Sequence, residues 1–65
     1  MEIYVVMCKG KNSDEWNVSS EGYAKYGEAV AFCKGRKGKP EIKDNRMIWI
    51  SETYEYYIKV ITIHQ

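Results

Sequence analysis

One stretch of this 65-residue chain repeats with the period of a helix, while its other long apolar runs repeat with the period of a strand. Tyr26, Ala29, Val30 and Cys33 fall at i, i+3, i+4 and i+7, a single stripe on a helix predicted from Gly27 to Arg36. Phe32 borders the stripe, and Glu28 and Lys34 are left for water. Glu28 in the first turn complements the helix dipole, as do Lys34, Arg36 and Lys37 in the last. Gly35 or Gly38 is placed to adopt the left-handed conformation that ends a helix, and Pro40 bars its continuation. One short amphipathic helix must bury its stripe on something else, and a sheet is what remains.

The sheet is written in three runs. EIYVVMC, Glu2 to Cys8, is β-branched and aromatic, with Ile3, Val5 and Met7 on one face and Tyr4, Val6 and Cys8 on the other. Both faces are apolar, as in a strand that is central in its sheet or covered on both sides. RMIWIS, Arg46 to Ser51, is a second strand, and EYYIKVITIH, Glu55 to His64, a third, with ETYE as the turn of an antiparallel hairpin. Residues 9–25 open with the polar KGKNSDE, and Trp16 and Val18 alternate around Asn17, which predicts an ordered loop with a brief extended piece. The expected fold is one α+β domain over residues 1–65, of order β-α-β-β, with one helix on one face of an antiparallel sheet.

One helix leaves a face over. The third strand offers Tyr57, Ile61 and Ile63 on one side and Tyr54, Tyr56, Ile58 and Val60 on the other. Both sets are apolar where a solvated face should alternate with polar residues. Six tyrosines and two tryptophans are many for such a chain, and these residues are favoured in interfaces. Two readings stay open: residues 9–25 fold back with Trp16, Val18 and Tyr23 to cover the second face, or another chain covers it. The second makes Trp49, Tyr54 and Tyr56 the anchors of a partner-binding surface, with Trp16 nearby. A symmetric dimer through this face or an edge strand fits a domain too small for a large core.

The chemistry is mostly exclusions. The sole histidine, His64, is the penultimate residue, so Ser-His-Asp or Cys-His arrangements have no well-placed base. Cys8 and Cys33 lack metal-ligand spacing and are expected as buried free thiols, with a disulfide open if their Cα atoms approach. No cofactor motif is present, and no run is long enough to span a membrane. A cytoplasmic protein without enzymatic activity is expected. The net charge of +1 argues against a dedicated nucleic-acid binder. The one basic cluster, KGRKGK, supplies Lys34, Arg36, Lys37 and Lys39. These could hold nucleic acid together with exposed aromatics, or steer an acidic partner. Phosphate loops precede a helix, whereas these glycines follow one, so helix termination is the favoured role.

The layout YVV…EWNVSSEGYAKYGEAVAFCKGRK…YYIKVI resembles that of small accessory proteins encoded by phages and prophages. Its tyrosine-and-valine first strand, loop tryptophan, EA at the helix start and closing hairpin carry the likeness. The resemblance implies a compact protein that inhibits or modulates a host or defence protein by contact, often as a dimer. It carries no residue-specific role.

Overall fold

The structure, a computed structural model, describes residues 1–19 and 21–64. In chain order it comprises β1 (Glu2–Gly10), β2 (Asn17–Val18), α1 (Tyr26–Gly35), β3 (Lys39–Lys43), β4 (Arg46–Ile50) and β5 (Tyr54–Thr62). The strands form one antiparallel sheet in the order β2-β1-β5-β4-β3. The general α+β class holds, with one helix on a sheet, but five strands replace the three of the expected β-α-β-β layout.

The two extra strands are those with the least apolar patterning. β3 reads KPEIK and is exposed at every position, so it has no buried face to impose alternation. Its signature lies in the turn instead. Asp44 and Asn45 have φ of 53° and 62°, the left-handed pair of a two-residue hairpin between Lys43 and Arg46. Pro40 lies inside this edge strand, where a missing N–H is tolerated. β2 is two residues long, and the chain after it returns to the β1 edge where Tyr23 and Tyr4 exchange main-chain hydrogen bonds of 2.8 and 2.9 Å.

β1 and β5 pair without interruption from Glu2↔Thr62 to Gly10↔Tyr54, which brings the two ends of the domain together. Their even-numbered residues face the helix. Val6, Ala29, Cys33, Trp49 and Tyr56 form the buried cluster, with Tyr4, Cys8, Tyr23, Val30, Phe32 and Ile58 around it. Phe32 and Tyr56 meet edge to face at 6.4 Å, and Tyr26 caps Tyr4 in the same manner at 5.8 Å. The Lys25 N–H donates to the Glu28 carboxylate at 3.2 Å and satisfies one orphan donor of the first turn.

The helix ends differently from expectation. Gly38 N–H donates to the Cys33 carbonyl at 3.0 Å, and Lys37 N–H to that of Lys34 at 2.9 Å, the paired bonds of a Schellman motif. Lys37, not a glycine, takes the left-handed position (φ 64°). Gly38 is needed for space: a Cβ there would lie 2.8 Å from Trp49 Cβ and 2.9 Å from the Cys33 carbonyl oxygen. Lys37→Gly should therefore raise stability by about 1 kcal/mol, and Gly38→Ala should lower it by about 2 kcal/mol through overpacking. Urea midpoints should move in opposite directions at unchanged slope.

Candidate binding face

The residues expected to form one aromatic contact surface are divided by the sheet. Trp49 and Tyr56 are 4% and 5% exposed, pinned between the sheet and α1, and are core rather than contact residues. Tyr54 is half exposed on the same side as Tyr56, with ring centroids 6.4 Å apart. Trp16 is on the opposite face, edge to face with Tyr57 at 4.7 Å. Lys34, Arg36, Lys37 and Lys39 are all exposed and follow the chain from the last turn of α1 into β3. Arg36 lies over the Phe32 ring at 5.1 Å.

The face without a helix is built from the other parity. Ile3, Met7 and Lys9 of β1 share it with Tyr57, Lys59 and Ile61 of β5 and with Val18, the register partner of Met7. Residues 9–25 cover it only in part. Trp16 closes one end, but Val18 stays 65% exposed and Tyr23 turns to the helix side against Phe32. Ile61 is 41% exposed. Toward the chain ends, Ile3, Val5, Ile61 and Ile63 line an open groove of about 1030 Å³. One wall is the chain at Gly22, which crosses so close that a Cβ there would collide with Ile3 Cγ2.

The other end of this face is charged. Glu55 is only 7% exposed, yet its Oε2 accepts from Lys9 Nζ at 3.1 Å. Lys43 Nζ stands 4.0 Å from Oε1, which has no hydrogen-bond partner among the described residues. Lys9 Nζ also donates to the Ser13 carbonyl at 3.2 Å and lies 5.5 Å from the Trp16 ring centroid, which ties the 11–16 loop to the face. Arg46 stacks on Tyr57 at 4.4 Å. A buried carboxylate of this kind is tolerated because cations gather round it.

Nucleophilic chemistry finds little footing. Cys8 and Cys33 are free thiols, half-buried and buried. Burial pushes Cys33 up to about 11, and it also raises Cys8, an effect partly offset by the Arg36 charge and a Tyr56 hydrogen bond. Both are thiols rather than thiolates at neutral pH. Among the described residues no group of three or more His, Cys, Asp or Glu side chains could hold a metal ion. Among the described residues no helix is long and apolar enough to cross a membrane.

Lys9, Tyr57, Arg46 and Ile61 belong to the exposed face but were absent from the expected anchors. A signal was present: the alternate positions 55 and 59 of the last strand are charged, whereas 54, 56, 58 and 60 are not. Trp49→Ala should cost about 3–5 kcal/mol, close to the whole stability of a domain this small. Tyr54→Ala should cost less than about 1 kcal/mol, both read by thermal unfolding.

Stability should also fall in alkali. The ordinary thiol value is 9.0 and the folded Cys33 value is about 11, so the unfolded chain loses this proton first. The thiol's contribution is complete below about pH 9 and disappears as pH rises toward 11. The loss totals roughly 3 kcal/mol, and Cys33→Ala should flatten that part of the profile. No protein-family model, curated protein or solved structure matches the chain.

Proposed function

We propose that this chain is a non-enzymatic binding protein that acts by protein–protein contact through the sheet face opposite α1. The observation that carries the reading is an apolar strip beside a cluster of cations: Val18, Ile61 and Ile63 are exposed on the face that α1 does not cover. The charges on that face describe the partner. Lys9, Lys39, Lys43, Arg46 and Lys59 stand at strand positions there, against Glu41 and Glu55. That local excess of three exceeds the +1 of the whole chain. An apolar strip flanked by acidic side chains is the complementary surface, and opposite charge speeds encounter. Inhibition or modulation of a host or defence protein, in the manner of the phage-encoded proteins the layout resembles, is the activity such a surface serves.

Nucleic acid is the competing ligand, through Lys34, Arg36, Lys37 and Lys39. The two rings on the exposed face argue against it, because Arg46 already covers Tyr57 and Lys9 approaches Trp16. Bases need free aromatic faces on which to stack. The test is capture from host lysate by the intact protein and by a Val18→Asp, Ile61→Asp double variant. Both positions are exposed, so circular dichroism should be unchanged while capture is lost. Capture that survives both changes contradicts this docking face, and tight oligonucleotide binding that weakens steeply with salt favours nucleic acid instead.

A further inference from the structure

The two edges of the sheet differ in how far they are closed. At one, β2 pairs for only two residues. At the other, β3 offers five exposed residues and, among the described residues, no strand on its outer side. Register fixes what that edge presents. Lys43 and Arg46 flank a two-residue turn, so they exchange both main-chain bonds, and the ladder alternates from there. Glu41 and Lys39 bond inward to β4, while Pro40 and Ile42 point outward. Pro40 has no N–H, so within β3 the outward donor is that of Ile42. Its side chain, 72% exposed, lies beside Met47 on the helix side of the sheet but outside the core cluster.

We propose that β3 pairs with the β3 strand of a second copy of this chain, antiparallel and two-fold symmetric, with Ile42 opposite Ile42. In this register the N–H and C=O of both Ile42 residues are satisfied by each other. It also sets Glu41 opposite the second copy's Lys43, and Lys43 opposite its Glu41, so two opposite-charge pairs form on the face away from α1. Ile42 and Met47 from both copies meet on the helix side. Moving the register by one pair, so that Glu41 faces Glu41, brings Lys39 opposite Lys43 and leaves the Ile42 carbonyl unpaired. Charge and hydrogen bonding thus select the same register. The Lys43–Glu55 contact, at 4.0 Å, is long enough to yield to the new pair. The product is a continuous ten-stranded sheet that takes up Glu41 and Lys43 at the edge of the proposed docking face but leaves its apolar strip, Val18, Ile61 and Ile63, open in each copy. Its failure would therefore be separate from failure of that docking face.

A strand-edge interface is small, so association should appear at concentrations on the order of 1 mM rather than in dilute solution. Sedimentation equilibrium of the full chain should show a reversible monomer–dimer transition in that range. Ile42→Pro removes the outward N–H without touching a bond to β4 and should leave a folded monomer. Glu41→Lys or Lys43→Glu should each weaken self-association about tenfold or more by facing like charges. Mixing these two variants recreates both opposite-charge pairs and should give a heterodimer of near wild-type affinity. A wild-type chain that stays monomeric at the highest concentration overturns the proposal. So does a dimer indifferent to Ile42→Pro, or two charge variants that fail to associate when mixed.

Discussion

Everything in this fold depends on the pairing of β1 with β5. The two strands lie at opposite ends of the domain, and their register joins Glu2 to Thr62 and Gly10 to Tyr54. Closing so long a loop is entropically costly and is repaid only when side chains on the ladder are buried. Val6, fully buried, does this from β1, and Tyr56 from β5, both beneath Ala29 and Cys33. Without that ladder α1 has no floor and the β3–β4 hairpin loses the sheet that Trp49 joins.

The same ladder sorts the chain's chemistry by parity. Even positions of β1 and β5 carry Tyr4, Val6, Cys8, Tyr56 and Ile58, which α1 covers. Odd positions carry Lys9, Glu55 and Lys59 among Ile3, Met7, Tyr57 and Ile61, and these face away. That face thus mixes exposed aliphatics with an excess of cations. Its buried carboxylate, Glu55, is engaged by Lys9, which anchors the loop that carries Trp16.

Much of the architecture was legible in the sequence. The helix stripe, the interior first strand and the closing hairpin all follow from periodicity, because each has a buried face to enforce it. β3 was missed because a fully exposed edge strand has no such face, although Asp44-Asn45 marked its turn. Lys37 at the left-handed position was also hidden. Gly38 reads in the sequence as a residue of conformational freedom, whereas its place in the fold demands the absence of a side chain against Trp49. The residues of the proposed docking face were least legible. Aromatic content singled out Trp49 and Tyr56, but which side of a sheet a helix covers is a tertiary choice. The charges at 55 and 59 decide it, and they count only once both strands are paired.

The central claim is that Val18, Ile61 and Ile63 form an exposed apolar strip on the sheet face away from α1, while the cluster beneath the helix is closed. Methyl relaxation by a soluble paramagnetic agent, in dilute protein, measures this directly. Val18, Ile61 and Ile63 methyls should relax strongly, while those of Val6 and Ala29 are spared. Equal protection of Val18, Ile61 and Val6 would contradict the account.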